Sequence, residues 1–226
     1  MIAKYVTCTY EIKDTYTKAL LKAKNAKVKI EPSNDETTKL VIFEKKRRPY
    51  EFSVQDDTLT VKPTKAKWYN FLRVGIDRSE IKLLVPSSIL SEITVNSNVG
   101  HVDISSINCN GTIDIQVNTA KTNLENVSCQ AFNSKGNSGS VTLNNFAASK
   151  SIAIKRNSGK VLLNDCSAPE IRVKTNTGKV CGRLPSNMTF ITRTNTGRIE
   201  LPKAPIGEAI LGSCEIKTNT GSIKFE

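Results

Sequence analysis

The sequence predicts an all-β chain wound as a parallel β-solenoid. Three observations carry that prediction: a phrase recurs about every 19 or 20 residues, apolar residues stand two apart on both sides of it, and aromatics are only 6% of the chain. The phrase is Asn-Ser/Thr-Gly, one further residue, then Val or Ile. It or a close variant begins at Asn98, Asn118, Asn137, Asn157, Asn176, Asn195 and Asn219, at intervals of 20, 19, 20, 19, 19 and 24 residues. Self-similarity at such a period marks a stacked-repeat architecture. With 226 residues, 38% of them hydrophobic, a long thin core accounts for the composition better than a round one.

Aligning the repeats on Asn shows what each turn contains. Four residues after it stand Val102, Thr122, Val141, Val161, Val180, Ile199 and Ile223; six after stand Ile104, Leu124, Leu143, Leu163, Gly182, Leu201 and Phe225. Five before stand Ile93, Ile113, Phe132, Ile152, Ile171, Phe190 and Cys214, and three before stand Val95, Ile115, Ser134, Ile154, Val173, Thr192 and Ile216. Alternation with a period of two makes one buried strand face on each side of the corner. Turn-rich stretches such as Asn144-Asn145 and Asn164-Asp165 separate the strands. One turn cannot bury its own apolar side chains, but turns stacked about 4.8 Å apart bury them and pair their backbones.

The Asn-Ser/Thr-Gly phrase is therefore read as a structural corner. Glycine supplies positive φ, asparagine bonds to local backbone, and stacked Asn amides can bond from turn to turn. The chain is read as one domain over residues 1–226, irregular over 1–76 and regularly repeated over 77–226. Residues 79–98 make one further turn, with Ile81 and Leu83 in its first strand and Ile93 and Val95 in its second. NAKVKI (25–30), TKLVIF (38–43), YEFSV (50–54) and DTLTV (57–61) are strand candidates. TYTKALLKAK (15–24) is read as strand in preference to a capping helix. A cap is needed at the N-terminal end because a bare solenoid end is an open sheet edge.

This pattern resembles a bacterial family of domains of unknown function known as "putative adhesins". The resemblance rests on NAKVKIEPSND, DDTLTV, the IKLLVP strand ending at Pro86 and the successive N-[ST]-G-x-[VI]-x-[LF] units, and covers nearly the whole chain from about residue 20. It implies a right-handed parallel β-helix, a role at the cell envelope and no established catalytic residues.

Composition and spacing bear on function in the same direction. The formal net charge of +12 favours polyanionic partners. No apolar run reaches the roughly 18 residues of a membrane span, and MIAKYVTCTYEIKD lacks the apolar centre of a secretory signal. That predicts a chain soluble as given, with a cytoplasmic location, whereas the resemblance implies the cell surface. Asp103, Asp114, Glu125, Asp165, Glu170 and Glu200 form no adjacent carboxylate pair for glycoside chemistry, and His101 sits on the corner without an acidic partner. No catalytic residue, metal site or cofactor is expected. Cys8, Cys109, Cys129, Cys166, Cys181 and Cys214 are read as free, mostly buried thiols; Cys109 and Cys129, 20 apart, should be neighbours, with inert thiols favoured over a disulfide.

The cations fall into columns. Two residues before the Asn stand Lys135, Lys155, Lys174, Arg193 and Lys217, expected in consecutive turns, and three after it stand Lys121, Lys160, Lys179 and Arg198. Like charges on neighbouring strands are unfavourable. Either they blunt aggregation, or they face a regularly charged polymer such as an acidic glycan or teichoic acid; an envelope protein is a further candidate partner, and nucleic acid is disfavoured because no aromatics interleave. The leading reading is a noncatalytic binding module, and its rival is a scaffold that assembles end to end, or as a homodimer, through solenoid edges. The rival reading rests on NTGSIKFE, taken as a last turn left open. Arg47, Arg48, Trp68, Tyr69 and Arg73 are read either as part of a cap or as a glycan or phosphate site.

Overall fold

In the computed structural model, residues 5–46, 49–64, 78–86, 89–203 and 209–226 are described. Arg47, Arg48, Trp68, Tyr69 and Arg73 lie outside them. The described chain is all-β: 17 strands and no helix. Residues 18–24, the strand-or-helix alternative, are strand β2 (Lys18–Lys24). Each repeat contributes a segment before the Asn corner and one after it, and these stack as two faces.

The middle of the molecule follows the repeat. β8 (Glu92–Ser105) pairs in parallel with β9 (Thr112–Ser138), placing Ile93 beside Ile113 and Val102 beside Thr122. β9 pairs in the same sense with β10 (Val141–Ser158), and β10 with β11 (Val161–Ser167) and β12 (Glu170–Thr177). The strands are long because they continue around the corners. The inward columns are buried, from Val95 and Ile104 to Ile171 and Val180, and the Phe132 and Phe146 rings meet at 5.2 Å between centroids. A second corner lies eight residues after the Asn, where Ser106, Asn126, Asn145 and Asp165 all adopt positive φ (48° to 55°). Short polar side chains tolerate this conformation by bonding locally, and Asn145 donates its amide to Asn126 Oδ1 at 2.8 Å.

Both ends depart from sequential stacking. After β13 (Val180–Arg183), the next turn in the chain, β14 (Met188–Thr196) and β15 (Ile199–Glu200), does not pair with its predecessor. The last turn, β16 (Gly212–Thr220) and β17 (Ile223–Phe225), lies between them: β12 pairs with β16 and β16 with β14, while β13 pairs with β17 and β17 with β15. The expectation that NTGSIKFE forms the end rung is thus corrected; the end rung is β14/β15. Packing explains the order. Gly182 stands in register with Phe225, whose ring meets Phe190 at 5.7 Å, and small Cys214 separates Ile171 from Phe190. Alternating large and small residues across facing positions fills a core without strain.

At the N-terminal end, β2 and β3 (Lys27–Pro32) lie between β8 and the rung made by β6 (Thr58–Pro63) and β7 (Glu80–Val85). Ile81 and Leu83 of the expected turn 79–98 therefore sit two rungs from Val102 and Ile104. The outermost strands are antiparallel, a further correction to an all-parallel coil: β5 (Tyr50–Gln55) pairs with β6, β4 (Thr38–Lys45) with β7, and β1 (Tyr5–Ile12) with β4. The β5–β6 reversal is a two-residue loop, Asp56-Asp57, with φ of 48° and 60°. Two positive φ values match the twist of a hairpin. Tyr10 of β1 meets Phe52 of β5 at 4.9 Å and closes this end between the two faces, which supplies the cap that an open edge requires.

Candidate functional site

The recurring corner is built by stacking. Gly178 has φ 153°, and a Cβ there would lie 2.0 Å from the Gly159 carbonyl oxygen of the adjacent rung. The Asn side chains bond between rungs in pairs: Asn118 donates to Asn98 Oδ1 and Asn157 to Asn137 Oδ1, each at 3.1 Å, and Asn219 donates to Asn176 Oδ1. The last of these joins rungs 43 residues apart in sequence, a consequence of the inserted final turn. Asn195 stands at the same corner of the end rung, where Thr196 pairs with Thr220.

The first basic column runs along the outward side of the segments before the corner. In spatial order it is Lys135, Lys155, Lys174, Lys217, Arg193, because the inserted turn places Lys217 between Lys174 and Arg193. All five are exposed. A shallow cleft of about 270 Å³ lies along Lys135, Lys155, Lys174 and Lys217. Lys217 is bonded to Glu215, whose carboxyl is lowered by that contact and then by Arg172. Lys135, Lys155, Lys174 and Arg193 make no ion pair among the described residues. The second column is less continuous than the sequence order implies. Lys160 and Lys179 are on adjacent rungs, but Ser140 separates Lys121 from Lys160, and Ser222 separates Lys179 from Arg198, which reaches Glu200 at 3.8 Å.

Cations elsewhere are treated differently. Lys27 meets Asp103 at 2.8 Å, Lys29 meets Glu80 at 3.0 Å and Lys82 meets Glu31 at 2.7 Å, so these lysines of the N-terminal rungs are ion-paired diagonally to carboxylates on neighbouring strands, even though Lys29 and Lys82 stand in register. Three of the candidate carboxylates are held by cations: Asp165 by a bidentate bond to Arg183 (2.8 and 2.6 Å), which lowers its pKa, Glu170 by Arg172, and Glu200 by Lys224 at 3.3 Å. No group of three or more His, Cys, Asp or Glu among the described residues is placed to hold a metal ion, and these residues form no helix long and apolar enough to cross a membrane.

All six cysteines are free, and all but Cys8 are buried. Burial pushes the thiols of Cys129, Cys166 and Cys214 up to about 12, so they stay protonated and unreactive near neutral pH. Cys129 pairs in register with Ala148, as the small-residue column predicts.

One feature is not legible from any single repeat. Arg156, one residue before its Asn, is 2% exposed and sits in a column otherwise holding Ser97, Val117, Gly136, Thr175, Thr194 and Thr218. Its Nη2 donates to Ser134 Oγ at 2.8 Å and Thr122 Oγ1 at 3.4 Å, its Nη1 donates to the Lys155 carbonyl at 3.1 Å, and its Nε has no partner. Burial lowers its pKa to about 10. Thr122 stands where the other turns carry valine or isoleucine, Ser134 where all but Thr192 do, and Gly136 vacates the space under which the guanidinium lies. The signal in sequence was that departures from three columns coincide on neighbouring turns.

Stacked parallel turns with a repeated polar corner and exposed charge columns place the protein among the repetitive all-β proteins. The chain belongs to the Toastrack DUF4097 family, a domain of unknown function, whose model matches residues 16–224. Among solved structures, it is similar to a "putative adhesin" from Bacteroides fragilis at 20% identity and a TM-score of 0.61, covering 99% of this chain and 97% of that one. It is also similar to a "putative adhesin" from Parabacteroides distasonis at 16% identity and a TM-score of 0.52, covering 99% and 98%. At these identities the likeness is one of fold. No protein of curated function matches in sequence.

Proposed function

We propose that the protein is a noncatalytic binding module, whose chain acts as one unit, a right-handed parallel β-helix closed by antiparallel strands at its N-terminal end, and presents its basic columns to an anionic polymer of the cell envelope. The observation that carries this reading is the contrast between charge pairing on the N-terminal rungs and the unpaired succession Lys135, Lys155, Lys174. Lys27, Lys29 and Lys82 each have a carboxylate partner on a neighbouring strand; a run of like charges without one costs about 0.2–1 kcal/mol per pair. An acidic glycan or teichoic acid presents repeated anions to such a run, and multiple neutralised charges make binding salt-dependent. An envelope protein with an acidic face is the remaining partner class.

Lys174→Glu separates function from stability. It places a carboxylate between Lys155 and Lys217, so thermal melting is expected to rise by about 1–3 °C. Retention on immobilised teichoic acid or acidic glycan at low salt is expected to fall, and the triple reversal at Lys155, Lys174 and Arg193 is expected to abolish it. Unchanged retention in the triple variant would return these cations to a solubilising role.

A second reading, end-to-end self-association, is supported by the end rung. Ile191 (55% exposed), Ile199, Leu201, Ile210 (72%) and Leu211 are exposed large hydrophobics at the β14/β15 end. An edge strand carrying apolar side chains can pair with a second copy. If it does, the mass by light scattering rises with concentration and Ile191→Lys returns it to the monomer value. A wild-type mass independent of concentration would rule this reading out.

A further inference from the structure

We propose that a groove at the N-terminal end of the basic column is a seat for an acidic oligosaccharide whose uronate carboxylates are separated by neutral, hydroxyl-rich sugars. This rests on the binding-module reading and names a ligand class and a place for it. The groove is wide and open, with a volume of about 910 Å³. Its outer wall is the same outward column as the basic ladder, continued through the out-of-sequence N-terminal rungs. Lys22 is beside Asn96, Asn96 beside Gln116, and Leu21 beside Val61, so that Lys62 follows Lys22 on the outermost rung. The column thus reads Lys62, Lys22, Asn96, Gln116, Lys135, with two amides between cations.

That sequence of groups has a chemical meaning. A carboxamide offers both a donor and an acceptor, which suits hydroxyl groups, whereas a lysine ammonium offers donors and a charge, which suits carboxylates. From Lys22 to Lys135 is three rungs, about 14 Å at about 4.8 Å per rung. A ligand charged at every unit would leave anions against uncharged amides; one with charges set apart by neutral sugars matches the whole wall. Glu51, the carboxylate lining the groove, is drawn to Lys62 at 3.4 Å.

The floor adds an independent observation. It is formed by Ser97, Val117 and Gly136, small or absent side chains of one column, and the next member of that column is Arg156. A Cβ on Gly136 would lie 3.0 Å from Arg156 Nη1, so the guanidinium abuts the floor from inside. It has no bonded carboxylate among the described residues and its Nε is unpartnered. A buried cation without a counter-charge acts across a low-dielectric wall with little screening. It biases the Lys135 end of the groove toward an anion in a way that surface lysines alone do not.

The test measures binding of three probes by the full chain: a hyaluronan octasaccharide, in which uronates alternate with neutral sugars; an oligogalacturonate, charged at every sugar; and inorganic polyphosphate. Asn96→Asp/Gln116→Glu changes the amides at exposed or half-exposed positions with minimal change of shape, and Lys155→Glu/Lys174→Glu changes only the ladder beyond the groove. Preferred binding of the octasaccharide, weakened about tenfold or more by the amide pair and much less by the ladder pair, is the expected result. Oligogalacturonate or polyphosphate binding as tightly as the octasaccharide, with the amide pair no more disruptive than the ladder pair, overturns the groove proposal and leaves the binding-module reading standing. Binding of none of the three overturns the groove proposal and removes acidic glycans from the binding-module reading, which then rests on teichoic acid or an envelope protein.

Discussion

Gly178→Ala is expected to lower the urea midpoint by an amount equivalent to about 3–5 kcal/mol, among the largest effects of any single methyl group in this chain. Two independent costs combine. The added Cβ would stand 2.0 Å from the Gly159 carbonyl oxygen, and overpacking of this kind typically costs about 1–3 kcal/mol. The φ of 153° is one that an alanine adopts only under strain of a further 1–3 kcal/mol or so. Neither neighbour can move away, because Gly178 and Gly221 are also stacked at this close approach on the other side. Ala120 provides the control. It occupies the glycine position of its own corner, is buried, and is not among the residues with positive φ. Ala120→Gly should therefore cost only about 0.5–1 kcal/mol, the entropic penalty of glycine in a strand. Equal losses for the two variants would mean that the corner tolerates either residue and that close stacking does not set the repeat.

The second large effect concerns Arg156. Arg156→Thr, which installs the residue found at Thr175 and Thr218 in the same column, should destabilise by roughly 2–4 kcal/mol. It leaves Ser134 and Thr122 buried without their donor, each an unsatisfied group costing about 1–3 kcal/mol, and leaves a gap where the guanidinium lay. The triple variant Arg156→Thr/Ser134→Val/Thr122→Val should regain wild-type stability or exceed it, because it removes an uncompensated buried charge together with its polar surroundings. Replacing buried ionic groups with apolar residues is commonly neutral or stabilising by about 1–4 kcal/mol. Chemical denaturation of the single, double and triple variants measures the coupling directly. Simple additivity of the losses would show that these three residues are unrelated substitutions in a tolerant core.

Arg156 also marks how far column reasoning reaches. The inward and outward positions of Thr122, Ser134 and Lys155 followed from a period of two, since a strand that buries Ile154 must expose Lys155. That Arg156 turns inward, and that three substitutions on two neighbouring turns make room for it, depends on contacts between residues 22 and 34 apart in sequence. Each substitution looks like noise in its own column. The groove is similar: its wall joins Lys22 and Lys62 to Asn96 and Gln116, and nothing local announces that β2 lies against β8.

By itself the sequence determined the strand content, the corner with its glycine and stacked asparagines, the inward columns, the buried thiols and the membership of the basic column. All of these are consequences of short-range rules repeated in each turn: alternation of side chains along a strand, positive φ at glycine, and the identity of residues at equivalent positions. Only the tertiary structure decided the order of the rungs at the two ends, the antiparallel closure by β1, β4 and β5, and the placing of β14/β15 on the outside. The physical reason is that parallel stacking lets any turn pair with any other of the same shape, so register within a turn is strongly specified and neighbour choice is not. The choice falls to the few positions where turns differ in volume or charge, such as Gly182 against Phe225 and Glu215 against Arg172, and these act only once the turns are in contact.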